Sequence, residues 1–201
     1  MKPFSPEQEE HFPLSSEPGA SVSNINSSMM RSLTESNELL QQENFEEIIN
    51  EHKKFIEAGG MGGKWQTFVT SGLVLGVYFG VTVSNGKQAD FFHKKFTGLD
   101  LKNRNYSASN FIASIGEGVD ISYSQMENCI FTDAFWKIAN FENCNLKGTD
   151  FSRSDLSGCN FRYCNLENTD FENCNLENAD FTGAILTGSR FPGAILTGVK
   201  Y

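Results

Sequence analysis

The chain has 201 residues, room for one domain of ordinary size with a tail but not for a second large domain. Its formal net charge is −9, from 25 Asp plus Glu against 16 Lys plus Arg, which argues against binding nucleic acid directly through a basic surface. Five cysteines, an odd number without a CxxC pair, fit neither a secreted disulfide framework nor a zinc site.

Residues 1–31 hold Pro3, Pro6, Pro13 and Pro18, seven serines and few large apolar side chains, so a disordered tail is expected there. No basic segment followed by an apolar core opens the chain, and Arg31 is its one arginine before residue 100. A signal or transit peptide is therefore not expected, and the expected location is cytoplasmic. The stretch SLTESNELLQQENFEEIINEHKKFIEAGG predicts an amphipathic helix. Ser32 and Glu35 form a capping box, Leu39, Leu40, Phe45, Ile48, Ile49, Phe55 and Ile56 mark the apolar face, and Gly59 and Gly60 end it.

Residues 65–86, WQTFVTSGLVLGVYFGVTVSNG, carry no charge over a length that would span a bilayer. Gly72, Gly76 and Gly80 fall at the spacing of a membrane-helix contact face. Against a span, Leu73, Leu75, Val77, Phe79, Val81 and Val83 alternate with smaller or more polar residues, and Asn85-Gly86 is a hairpin turn signal. The preferred reading is a strand-rich segment; the alternative is a membrane helix over 65–84 that tethers the protein.

From residue 96 the large side chains follow an arithmetic series: Phe96, Leu101, Tyr106 and Phe111, then every fifth residue from Ile121 through Phe141, Phe161 and Phe181 to Tyr201, broken at Gly116. From position 109, a small side chain comes two residues before nearly every one, among them all five cysteines, Cys129, Cys144, Cys159, Cys164 and Cys174. Neither helix nor flat strand has period five. A repeat this short predicts a solenoid in which the chain turns a corner every five residues, with one large and one small side chain inward. At the small inward position a free thiol acts as a small hydrophobe, so the cysteines read as filling. Three segments follow: a tail over 1–31, a helix and apolar segment over 32–95, and the solenoid over 96–201.

The triplets ADF, CNL, TDF and SDL match the motif of the pentapeptide-repeat family, which the chain resembles over about half its length. The resemblance implies an all-β solenoid: a right-handed quadrilateral β-helix of about five coils, four pentapeptides to a coil, with positions twenty apart stacked. Phe111, Phe131, Phe151, Phe171 and Phe191 then form one inner column. Trp136 would fill the gap at Gly116.

Catalysis has little to stand on. His11, His52 and His93 have no metal-ligand spacing, and no phosphate loop or nucleophile elbow occurs, so no enzyme activity, cofactor or metal is expected. The expected role is a non-enzymatic scaffold or adaptor for protein partners. Some members of the family resemble B-form DNA in shape and charge and bind gyrase or topoisomerase, which supplies an alternative. Such mimicry needs a broad acidic face. Residues 99–201 carry 13 Asp plus Glu and 8 Lys plus Arg, interleaved. Glu127, Lys147 and Glu167 would stack in alternation, as would Glu142 and Arg162. The best acidic patch, Asp150, Asp170 and Glu172, is interrupted by Arg153 and Arg190. A serine-rich N-terminus leaves a secreted effector as a further alternative. The candidate partner site is terminal: Ile185 and Ile195 replace the usual outward Asp or Asn, and with Val199 and Tyr201 they would make an apolar edge for a partner or for end-to-end stacking of two copies.

Overall fold

The computed structural model describes residues 38–61, 63–70, 73–79, 83 and 85–201, with the backbone alone described at 67–70 and 73–75. The expected tail and the Ser32–Glu35 capping box lie outside the described residues. The regular part is a β-helix solenoid whose coils repeat every twenty residues. Parallel bridges join Asp90 to Asn110, Asn110 to Ile130, Ile130 to Asp150, and continue in the same step to Asp180 with Lys200. The ladder thus takes in Phe91, one register step ahead of Phe96, as a fully buried core residue.

Local chemistry explains the square turn. The residue before each large side chain is commonly Asp or Asn, and its Oδ1 accepts the N–H two residues on: Asn140 from Glu142 at 3.1 Å, Asn160 from Arg162 at 3.0 Å, Asp180 from Thr182 at 2.9 Å. Each corner then needs one left-handed residue, which Asn supplies at 143, 168, 173 and 178 and Gly at 148, 158 and 183. The Asn amides also form ladders between coils, Asn160 Nδ2 donating to Asn140 Oδ1 at 2.9 Å. Inside, the phenylalanines stack along columns, with Phe111 and Phe131 centroids 4.4 Å apart and Phe151 and Phe171 5.4 Å apart, while neighbouring columns meet edge to face.

The inward small position does more than fill. The Cys159 thiol donates to the Trp136 carbonyl at 2.8 Å, Cys164 to Phe141 at 2.9 Å and Cys174 to Phe151 at 2.8 Å, and Thr149 and Thr169 hydroxyls do the same to Met126 and Leu146. Each of these carbonyls already accepts an N–H from its own turn, as Phe141 does from Cys144 at 3.0 Å. The small donor therefore satisfies the second lone pair of a buried acceptor. Trp136 fills the break in the series as expected: a Cβ on Gly116 would lie 2.5 Å from the indole Cδ2.

The N-terminal segment departs from its sequence reading. The helix, α1, runs Gln42–Glu57, not from residue 32. Glu38–Leu39 instead forms a short strand, β1, parallel to β4 at Lys94–Lys95, and Leu40 N–H donates to the Lys95 carbonyl at 3.0 Å. Pairing with the first coil outweighs local helix propensity, so Leu39 is exposed and Leu40 buried ahead of the helix. Phe45 meets Phe91 at 6.0 Å between centroids, and Arg104 holds Glu46 through two bonds of 3.0 and 2.7 Å. Helix α1 so closes the first coil. Gly59, at φ 83°, ends it as expected, the Gly60 N–H reaching the Phe55 carbonyl at 3.0 Å.

Residues 65–86 contain an antiparallel hairpin, β2 (Lys64–Thr70) with β3 (Leu73–Phe79), which corrects the membrane-helix alternative. Among the described residues no helix is long and apolar enough to cross a membrane. One detail of the strand reading is also corrected. Thr70 pairs with Leu73 at the closed end of the hairpin, whereas Gly86 lies against the end of α1, where a Cβ would come within 2.2 Å of the Phe55 backbone nitrogen. The larger alternating residues Val77 and Phe79 are exposed, at 43% and 56%, while Trp65 and Tyr78 are partly covered. Trp65 packs with Ile112 and Ile130, coil residues at outward positions, and Gly76 is the close-approach point: a Cβ there would lie 2.5 Å from Ile112 Cδ1.

Candidate functional site

Catalytic chemistry can be tested at the one histidine that is buried among the described residues. His52, on α1, is fully buried between Phe55 and the first coils. Its Nδ1 accepts the Ala89 N–H at 3.0 Å, which places the ring proton on Nε2, facing the Ser109 hydroxyl at 3.4 Å. A protonated Nε2 has no lone pair to activate Ser109, so the pair is a latch and not a nucleophile with its base. Burial lowers the His52 pKa to about 4, against a smaller raising effect of a bond to the Ser107 backbone. All five cysteines are free and buried, and burial pushes each thiol up, Cys144 to about 12, so the reactive thiolate is suppressed. Among the described residues no three His, Cys, Asp or Glu side chains are grouped to hold a metal ion.

The predicted terminal residues do not form one patch. Ile185 bridges Asn165 and Ile195 bridges Asn175, half a coil apart, so the two isoleucines sit on opposite faces, 51% and 40% exposed. Val199 packs on the core and Tyr201 stacks on Phe181 at 6.2 Å. The acidic residues do come together: Asp150 bridges Asp170, with Glu172 beside it. Arg190 then reaches Asp170 at 3.4 Å and Glu172 at 3.5 Å, and the Asp150 carboxylate accepts the Ser152 N–H at 2.8 Å. The same compensation recurs over the coils, with Lys147 on Glu167 at 2.7 Å, Arg153 on Asp133 at 2.9 Å and Lys137 on Asp155 at 3.3 Å. Arg162 pairs with Asp180 at 3.6 Å, and not with Glu142 as its position suggested. Opposite charges alternate where a DNA-like face would need one sign.

Sequence reasoning missed three outward residues. Tyr123, Ile138 and Tyr163, 56%, 63% and 52% exposed, sit at the left-handed corner position that Asn or Gly most often holds, with φ of 61°, 51° and 57°. Ile138 lies between Gly118 and Gly158 of the adjacent coils, and the Tyr163 ring covers Gly183, where a Cβ would lie 2.6 Å from it. The signal was present as large apolar residues two places after the core residue, a position the inward pattern leaves free.

The sequence profile of the family described as Pentapeptide repeat region matches residues 134–201. A pentapeptide repeat protein of the Arabidopsis thaliana thylakoid lumen is 30% identical over 51% of this chain and 68% of its own, with a TM-score of 0.41. The chain belongs to the pentapeptide-repeat family. Two further solved structures are similar to it at lower identity. HetL, involved in heterocyst differentiation regulation in the cyanobacterium Nostoc, is 22% identical over 56% of this chain and 55% of its own, with a TM-score of 0.37. QnrB1, a plasmid-mediated fluoroquinolone resistance protein, is 24% identical over 52% and 63%, with a TM-score of 0.31. This pentapeptide-repeat protein thus spans between 55% and 68% of the length of these three. A comparison with curated protein sequences gives no significant match.

Proposed function

We propose that this pentapeptide-repeat protein is a non-enzymatic adaptor: a right-handed rod of about five coils that holds a fixed outer surface toward protein partners, with α1 and the hairpin as a module at its N-terminal end. The observation that carries this reading is Ile138. A β-branched side chain in the left-handed region costs roughly 1–2 kcal/mol, and this one also leaves its apolar surface in water. Asn or Gly at the same corner avoids both costs in neighbouring coils. Strain and exposed apolar surface that packing does not need are what a bound partner would reward, and Tyr123 and Tyr163 add aromatic surface of the kind enriched in interfaces. The interleaved ion pairs favour this over imitation of DNA.

Photo-crosslinking residues placed singly at 123, 138 and 163 test the reading in cells. The adaptor reading expects one protein to crosslink from at least one site, and no crosslinked protein from any site overturns it. Stoichiometric inhibition of gyrase supercoiling would instead favour the alternative. A cytoplasmic location belongs to this reading, and recovery in carbonate-washed membranes would contradict it.

A further inference from the structure

The hairpin stands over the flank of the coils, and along the outer edge of β2 a cleft of about 450 Å³ opens. Lys64 and Trp65 form its upper side, and Asn128, Lys147, Asp150 and Asn168 line the coil side. Strand β2 pairs only with β3, so its other edge presents backbone groups that no described residue bonds. The strand carries one charge and no proline, so it lacks the usual protection against a further strand. A two-stranded sheet is marginal alone and gains from a third strand.

The side chains around the cleft are rich in unused donors. Lys64 makes no ion pair with a described residue, and Trp65 Nε1 is buried without an acceptor. Asn128 and Asn168 lay their oxygens over Gly148 and Gly188, which leaves the amide nitrogens without described partners. The adjoining Glu167 is paired with Lys147, and Asp150 is held by the neutral Ser152 N–H on the coil side, so Lys64 is the cleft cation without a described carboxylate. An occupant that brings carbonyl acceptors, and a negative group placed at Lys64 and away from Asp150, therefore fits. Nucleic acid brings both but meets a chain of net charge −9 and an edge suited to a polypeptide backbone.

We infer that this cleft binds an extended acidic peptide segment of a partner protein, which adds to β2 as a third strand and sets an Asp or Glu side chain on Lys64. The inference rests on the adaptor reading and names where one partner segment docks. A carbonyl of the peptide would reach Trp65 Nε1 after a small rotation of the indole, which recovers the cost of its unmet bond.

The test pans a phage-displayed library of random decapeptides on the full chain, then follows an enriched peptide by the two indole N–H resonances of the ¹⁵N-labelled protein. The expected binders are acidic. They move the Trp65 resonance and leave that of Trp136, whose Nε1 is bonded to Ser114 Oγ at 2.9 Å. Lys64 is exposed, so Lys64→Glu should leave the fold intact and weaken binding about tenfold, the loss of one charge-assisted bond. A peptide with its acid changed to lysine should regain affinity for that variant. Binders that ignore Lys64→Glu and leave Trp65 still overturn the cleft while the adaptor reading stands; so does a library that yields no binder when crosslinks at 123, 138 or 163 persist. A Trp65 resonance that moves with protein concentration alone, alongside a dimer mass, gives the edge to a second copy and overturns the assignment. One that moves when residues 1–37 are removed gives it to the chain's own N-terminal segment, with the same consequence.

Discussion

Gly116 and Trp136 share one space, and exchanging them for a pair of leucines tests that directly. The column below them is Leu156, Leu176 and Leu196, so leucine is the side chain the coil geometry accepts. Gly116 has an ordinary φ, and its lack of a side chain answers the indole rather than the backbone. A Cβ there would lie 2.5, 2.6 and 2.7 Å from Trp136 Cδ2, Cε3 and Cε2, and a whole leucine would collide further; overpacking of this kind costs about 3 kcal/mol. Trp136 reaches past Gly116 to Phe96, two coils up, at 5.4 Å between centroids. Trp136→Leu leaves a cavity and removes the indole N–H that donates to Ser114 Oγ, again a loss of about 3 kcal/mol. The double variant Gly116→Leu/Trp136→Leu puts one leucine in each coil. It should lose no more than about 2 kcal/mol, against about 6 if the effects were independent. Urea unfolding with a shared m-value measures all three. A double variant as unstable as the sum would refute the claim that the tryptophan and the glycine are one packing unit.

Stability should fall in acid through His52. Its native pKa, about 4, lies below the ordinary 6.5, so the unfolded chain binds the extra proton first. The contribution is complete above pH 6.5 and is lost as pH falls toward 4, by about 3 kcal/mol, and His52→Gln should flatten that limb in unfolding curves between pH 4 and 7. Ile138→Asn should stabilise the rod by about 1 kcal/mol in urea unfolding, by relieving a left-handed β-branched residue, while reducing partner crosslinking from residues 123 and 163. Native protein should resist iodoacetamide at all five cysteines, read by intact mass, and react fully in denaturant; rapid native labelling would contradict the buried, hydrogen-bonded thiols.

Much of the coil was legible because its contacts have one fixed sequence separation. The large residue at every fifth position marks the inward face, and the family resemblance then groups Phe151, Phe171 and Phe191, twenty places apart, into the column that the structure shows. The missing side chain at Gly116 was legible for the same reason, as a gap in the series filled from Trp136. The cysteines were placed correctly, but their thiol donations to carbonyls in the preceding coil were hidden, since the pattern shows size and not which lone pairs remain. The outward surface was least legible. Ile185 and Ile195 look alike in sequence, yet ten residues is half a coil and puts them on opposite faces.

By itself, then, the sequence determined a solenoid with one large and one small side chain inward every five residues, because short-range repetition encodes contacts between neighbouring units; the twenty-residue coil came from the family resemblance and is fixed by the bridges between coils. The tertiary structure decided the N-terminal module. Leu39 and Leu40 carry helical spacing, yet the first coil draws them into extended pairing. The alternation of residues 73–79 specifies a strand, but Ile112 and Ile130 decide that Trp65 and Tyr78 face the coil and Phe79 faces out. These contacts join segments 20 to 60 residues apart at no repeated interval, such as His52 with Ser109 and Glu46 with Arg104, so no periodicity announces them and only the packed chain brings them together.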